Sequence, residues 1–392
     1  MRTHRRFATF TAFVLCLGVL PVLAADSEPT PPPDSGVQER GIVPVSPDFF
    51  IKREQAAPPA IRQQLNEVRQ LIQSRRLNFR VGFTTAMERT FEQLTGDIIP
   101  SNTPQIARQR NAMAEQLQRI DAEERDKFLK LNPGKLREIL IPLVPCAQRR
   151  QFDWRTGGIV SPVKDQGGCG SCWSFAVIGA LESSWAKRNG PVTDESEQYV
   201  LANSGAGNCA GGNRADANAF LVSTGTSTEA TVPYTGMNGP PNPGAPTPYD
   251  AVATGFVDAA VEIPTVQKIK EAICQYGPVT VSVFASSNAF KGYIGGVYEE
   301  FINGPKNPDG TLKTGHAVVL VGWDDDKGAW LMKNSWGIGW GESGYMWIKY
   351  NSNNVGRWAQ WIQAKNAAYR LPPGYFQILK NAGLKLKIAP QQ

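Results

Sequence analysis

A cysteine becomes a nucleophile where its surroundings favour the thiolate, and Asp165-Gln166-Gly167-Gly168-Cys169-Gly170-Ser171-Cys172-Trp173 reads as such a place. Its polar and glycine residues cannot hold a regular element. From Trp173 to Leu181 the chain turns apolar and helix-forming, despite Gly179. Cys172 therefore falls at or near a helix N-terminus, where unpaired N–H groups and the macrodipole favour negative charge. That placement lowers a thiol's pKa. A buried structural cysteine is the competing reading of any single thiol, so the test is whether a base accompanies it.

The chain has two histidines, His4 and His316. His4 lies in what reads as a cleaved leader, which leaves His316 as the one imidazole of the mature protein. It opens an apolar strand, His316 to Trp323, entered through Gly315. A lone histidine on such a strand is equally a core residue with satisfied nitrogens. The second context is Lys333-Asn334-Ser335-Trp336-Gly337, after a short strand from Ala329 to Lys333. There an amide can hold the imidazole tautomer and an indole can keep water off that hydrogen bond. His316 follows Cys172 by 144 residues (316 − 172) and Asn334 follows it by 162 (334 − 172).

In these motifs and their order, the stretch from about Phe152 to Trp361 resembles the papain family of cysteine proteases. Cys169-Gly170-Ser171-Cys172-Trp173 fits that family's signature around its nucleophile at every position. The resemblance implies Cys172 as nucleophile, His316 as base and acid, and Asn334 as its orienter. Gln166 would donate to the oxyanion hole beside the Cys172 N–H, and Trp336 would cover the Asn334–His316 pair. Gly170, Gly211 and Gly212 would line the substrate cleft. The specificity pocket, which takes the residue two before the scissile bond, would be walled by Asn213, Arg214, Ser282 and Thr314. That lining weakens a taste for Leu or Phe, unless Arg214 swings to solvent and leaves an apolar slot beside Ala317. Cys209-Ala210-Gly211-Gly212 matches the family segment whose cysteine bridges to the one three before the nucleophile, pairing Cys169 with Cys209. Ala202 stands where a second family bridge usually starts. Cys146 and Cys274 remain by elimination, once Cys16 leaves with the leader.

The resemblance further implies an α+β, papain-like two-lobed fold: a helical N-terminal lobe, an antiparallel, barrel-like C-terminal lobe, and the site in the cleft between them. The elements agree. Helices are expected over Ser171–Lys187, Glu195–Asn203 and Arg214–Val222, then strands over Pro278–Phe284, His316–Trp323, Ala329–Lys333 and Gly344–Tyr350. Cys172 and His316 would then face each other from different lobes. They would rest as thiolate and imidazolium, acylate on a peptide bond and hydrolyse the thioester, with no cofactor. No histidine is left to block one end of the cleft, so the cut should be internal.

Ahead of this part, Arg2, Arg5 and Arg6 precede an apolar run from Phe7 to Leu23 that ends in small residues before Ala25. This reads as a signal peptide over 1–24, with a retained membrane anchor as the rival. Export implies a secreted or periplasmic protein, or a lysosome-like compartment in a eukaryote, and cysteines free to pair. Residues 26–50 are proline-rich and read as an extended lead. Ile61, Leu65, Val68 and Leu71 or Ile72 recur at helical spacing, and Asn78–Phe83 suggests a short strand. A second helix is expected to start at Thr103-Pro104, with Thr103 as cap, and to stop before Asn132-Pro133-Gly134. Residues 25–145 stand where the family keeps an inhibitory pro-segment. The family's interspersed Glu-Arg-Phe-Asn pattern is not clear there, and a separate helical interaction domain is the rival. A Cys146–Cys274 bridge places the maturation cut before Cys146, within Gly134 to Pro145. The catalytic part spans 146–365; the extension 366–392 has no functional account.

The net charge of +6 is spread along the chain, so no basic patch supports nucleic-acid binding. No second cysteine pair or histidine at ligand spacing makes Cys169 and Cys172 a metal site. Expected partners are protein or peptide substrates and the chain's own pro-segment, on a monomer. Two rival functions use the same residues: an acyltransferase or transamidase, and an inactive binding protein.

Overall fold

The computed structural model describes residues 45–135, 146–381 and 383. The expected leader, residues 136–145 of the expected maturation segment Gly134–Pro145, and Leu384–Ile388 lie outside the described residues.

The first part is helical, as its periodicity requires. Helix α1 (Pro47–Gln55) starts inside the stretch expected to be extended. Ser46 Oγ accepts from Asp48 N, proline holds an early helical position, and Asp48 favours the first turn. Helix α2 (Pro59–Arg75) buries Leu65 and Val68. Strand β1 (Phe79–Val81) follows, then the short α3 (Phe91–Leu94), started by a reciprocal Thr90–Gln93 capping box. Helix α4 (Thr103–Leu131) stops at the expected place and buries Ala107, Met113, Ala114 and Leu117. Its cap position is Asn102 rather than Thr103, because the Thr103 hydroxyl turns back to Pro100 O at 2.5 Å.

The second part begins with β2 (Gln151–Asp153) and then α5 (Cys172–Asn189), buried from Cys172 through Ser184. Around it lie α6 (Glu197–Asn203), the ribbon β3 (Gly207–Asn208) and β4 (Gly211–Gly212), and α7 (Arg214–Ser223). Helix α5 rests on the large sheet. The sheet contains β5 (Ala251–Phe256), β6 (Val279–Val283), β7 (Tyr293–Tyr298), β8 (His316–Asp324), β9 (Ala329–Lys333), β10 (Tyr345–Lys349) and β11 (Arg357–Ala364). Its order is β1-β7-β10-β9-β8-β6-β11-β5, with β2 also on β8. Pairing is antiparallel except between β7 and β10, a departure from the all-antiparallel lobe expected. Strand β8 is buried along its whole length, and a strand covered on both faces reads as an unbroken apolar run. Helix α8 (Val266–Tyr276) packs against β8 and carries Cys274, which is bridged to Cys146 with Cα atoms 5.7 Å apart.

The first part closes both exposed edges of this sheet. Strand β1 pairs with β7, Phe79 opposite Gly296. At the other edge α4 lies along β5, and the Asn111 amide pairs with Phe256 N (2.7 Å) and O (3.0 Å). The extension past Lys365 completes this second seat. Tyr369, Leu371, Tyr375 and Leu379 are buried, the last two in α9 (Pro373–Asn381). Buried Asp121 of α4 accepts from Arg188, Gln363 and Tyr369 at 2.8–3.0 Å.

Candidate active site

The polar stretch before Cys172 folds as a loop, and Cys172 is the first residue of α5. Among the described residues it is the one free cysteine; Cys169 is bridged to Cys209 with Cα atoms 4.6 Å apart. The bridge and Gly170 N→Cys209 O (2.8 Å) fix the loop that aims the thiol. Backbone N–H groups of Ala317, next to His316, and of Gly96 lie within reach of the sulfur. The sheet lobe thus brings the start of β8 to the N-terminus of α5.

His316 Nε2 pairs with Asn334 Oδ1 at 2.7 Å. Ser335 N donates to the same Oδ1 at 2.8 Å, which identifies that atom as oxygen. Nε2 therefore carries the ring hydrogen and Nδ1 presents its lone pair. Nδ1 is buried and has no hydrogen-bond partner. Trp336 is fully buried, with its ring 4.8 Å from the imidazole at 31°. Gln166 is buried as well. Ser335 Oγ donates to its Oε1 (2.7 Å), so Nε2 faces the cleft and donates to Cys169 O (2.9 Å).

The cleft is occupied by the chain itself. After α3 the segment Thr95–Ile98 runs between the two walls. Gly96 N and Asp97 N both donate to Gly315 O (2.8 and 2.9 Å). On the other side Ile98 N donates to Gly212 O (2.9 Å), and Gly212 N to Gly96 O (2.8 Å). Gln166 Nε2 donates to Gln93 O and Leu94 O (3.2 and 3.3 Å), and Trp336 Nε1 to Leu94 O (3.1 Å). The passage is tight enough to demand glycine. A Cβ at position 96 would lie 1.9 Å from Gly170 O, and one on Gly170 would meet Thr95 O and Glu92 O below 3.0 Å. Under this cover burial pushes the Cys172 thiol up to about 12 and the His316 imidazole down to about 4. Burial under this cover thus works against the thiolate and imidazolium expected from the sequence.

The residues expected to wall the specificity pocket are placed as follows. Arg214 does not swing to solvent; it is buried, its Nη1 and Nη2 donating to Thr280 Oγ1 (2.9 Å) and Ser282 Oγ (2.6 Å). Its Nε pairs with Asp97 Oδ1 at 3.0 Å, and Ser282 Oγ donates to Asp97 Oδ2. Asn213 is turned to another task, accepting from Ala215 N as the cap of α7. Thr314 accepts from Arg357 at 3.2 Å, so the wall opposite Gly212 is the Gly315 carbonyl.

Comparison with known proteins identifies the family. The family described as papain family cysteine protease matches residues 148–365, more than half of the chain. The chain belongs to that family. Among its curated relatives, a cathepsin L of Sarcophaga peregrina is 35% identical over 235 residues, covering 58% of this chain and 67% of the relative. A cathepsin J of Rattus norvegicus is 36% identical over 240 residues, covering 56% and 69%. A solved structure of a recombinant stem bromelain precursor aligns with TM-score 0.56 at 22% identity, covering 81% of this chain and 92% of that one. That span is longer than the 148–365 match, so the likeness of fold extends beyond the catalytic part. The protein is a papain-like cysteine endopeptidase of α+β fold.

Two sets of residues escaped sequence reading. Gly96 and Asp97 carry no local motif; only the glycine hinted at a close approach. Behind the site, Lys164 Nζ pairs with Glu182, Asp194 and Glu197 at 2.8–2.9 Å, and buried Lys333 donates to Ser161 Oγ at 2.8 Å. A small cavity lined by Lys164, Ala176, Glu182, Ala317, Lys333 and Asn334 joins this network to Asn334 and to the neighbour of His316. Burial lowers the Lys333 ammonium to about 8 and raises the Glu197 carboxyl. Each of these charges is separately unremarkable in sequence, and only the fold assembles them.

Proposed function

We propose that Cys172 is the nucleophile of this peptidase, that His316 is its base and acid, and that residues 25–145 are an inhibitory pro-segment on a catalytic domain of 146–365. The observation that carries the assignment is the His316 Nε2–Asn334 Oδ1 bond of 2.7 Å, which leaves Nδ1 without a partner on the strand whose next residue, Ala317, reaches the Cys172 sulfur. With Thr95–Ile98 gone, water reaches the site and the pair can charge. Nδ1 takes the thiol proton and the helix N-terminus favours the thiolate. A free thiol near pKa 8.5 is only a few per cent ionised at pH 7, so full ionisation gains roughly 30-fold.

The sulfur attacks the scissile carbonyl, and the oxyanion meets Gln166 Nε2 and the Cys172 N–H. Each such donor is worth about 10² to 10³ in rate, more than ionisation supplies. His316 returns the proton to the leaving amine, and water then hydrolyses the thioester. Asn334 holds the ring in the tautomer this requires. Gly170, Gly211 and Gly212 offer the substrate the backbone edge that Thr95–Ile98 now holds. Self-inhibition is favoured over the separate interaction domain because that segment lies across the thiol. Two disulfides fit export to an oxidising compartment. His316→Ala and Cys172→Ser should each reduce kcat/KM on a peptide to below about a hundredth of wild type. Higher residual turnover in either variant contradicts the roles. Release of free acid rather than amide or ester, at low amine concentration, separates hydrolysis from acyl transfer.

A further inference from the structure

From the buried Arg214–Asp97 pair in the cleft, we infer that the mature enzyme selects substrates bearing an acidic side chain, aspartate first, at the position opposite Gly212. This rests on the proposed peptidase site and names its substrate class. Arg214 has a side-chain exposure of 2% and Asp97 of 1%. Arg214 thus places a guanidinium charge in that interior. Its Nη1 and Nη2 are spent on two neutral hydroxyls, Thr280 and Ser282. Among the described residues its one paired carboxylate is that of Asp97.

Asp97 belongs to the segment that must leave. When it does, the pocket keeps Arg214 Nε and the Ser282 hydroxyl, two donors facing the vacated carboxylate position, and no anion. A buried unpaired cation is costly, and an apolar side chain entering there would leave it so. A carboxylate restores both bonds, with a fork geometry that suits it. The backbone supports the same placement. Gly212 N and O bracket Asp97 by bonding the residues on either side of it, and Gly315 O accepts its N–H. An extended peptide on the same edge, in either direction, presents one side chain to Arg214. By the family resemblance that residue is the one two before the scissile bond.

The test uses mature enzyme and peptides identical except for Asp, Glu, Asn or Leu at that position. The expected result is a kcat/KM for Asp at least about tenfold above Asn, and above Leu, because a site built around a charge rejects its neutral isostere. Arg214→Gln should bring the Asp-to-Asn ratio to about one, and Ser282→Ala should lower it. The wild-type ratio needs no variant to fold and stands by itself. Equal rates for Asp and Asn, or Leu preferred over Asp, overturns the inference. Labelling Cys172 in the same samples with a thiol-directed epoxide separates the two levels. Enzyme that labels and cuts the Leu peptide best refutes the acidic pocket alone. Enzyme that neither labels nor cuts any peptide refutes the peptidase reading, and the pocket with it.

Discussion

Replacing Gly96 by alanine should unlatch the covered site. The added Cβ would stand 1.9 Å from Gly170 O and 2.8 Å from Gly170 C, where ordinary contact begins at 3.4 Å. The segment must therefore move by about 1.5 Å (3.4 − 1.9). Gly170 is held in place by its N–H bond to Cys209 O (2.8 Å) and by the Cys169–Cys209 bridge beside it. A shift of that size breaks the four backbone bonds of 2.8–2.9 Å that tie Gly96, Asp97 and Ile98 to Gly212 and Gly315. At about 1 kcal/mol net for each, the cover loses about 4 kcal/mol, or roughly 10³-fold in its closed-to-open ratio. The assay is the rate at which a thiol-directed epoxide modifies Cys172 in the full-length chain at neutral pH, read by intact mass. Gly134→Ala is the control, since a Cβ there meets nothing within 4 Å. Gly96→Ala should label far faster than wild type, and Gly134→Ala should match wild type. If Gly96→Ala labels at the wild-type rate, the segment does not guard the thiol in solution.

Two further outcomes follow from the same contacts. Burial holds His316 at about 4 in the covered form against an ordinary 6.5, so an opened site binds the extra proton between those values. Where the open form binds more protons, falling pH favours it. Labelling of Cys172 in the latent chain should therefore rise as pH drops from about 6.5 toward 4, relative to a free thiol under the same conditions; a flat ratio contradicts the burial argument. The disulfides close spans of 128 and 40 residues, worth about 5 and about 4 kcal/mol on the chain-entropy account. Cys274→Ser should thus lower the melting temperature at least as much as Cys209→Ser, and an unchanged melting temperature in both would show that neither bridge forms.

The candidate residues were legible because each sits at an element boundary with its own local signal. Cys172 opens a helix after a glycine-rich loop, His316 opens an apolar strand, and Asn334 follows one. The three helices of the first lobe and four of the sheet strands were readable for the same reason. Strands β5, β7 and β11 and helix α8 were not anticipated. In β7 the pair Gly295-Gly296 breaks the alternation, and Arg357, Gln360 and Gln363 interrupt β11 with polar side chains that find partners only in the fold. The pocket could not be settled from sequence at all. Whether Arg214 faced in or out depended on Thr280, Ser282 and Asp97, and Asp97 lies 117 residues away across a chain reversal. The C-terminal extension was opaque for a similar reason, since Tyr369 and Tyr375 are explained by Asp121 and β5.

The central claim is that Cys172 carries the chemistry, and active-site titration of the mature enzyme tests it most directly. Mature protein is treated with increasing amounts of a thiol-directed epoxide, with modification and peptidase activity followed together. The account predicts one adduct per chain, on Cys172, with activity falling in proportion to labelling and no adduct in Cys172→Ser. Peptidase activity surviving in a sample whose Cys172 is fully modified would contradict it.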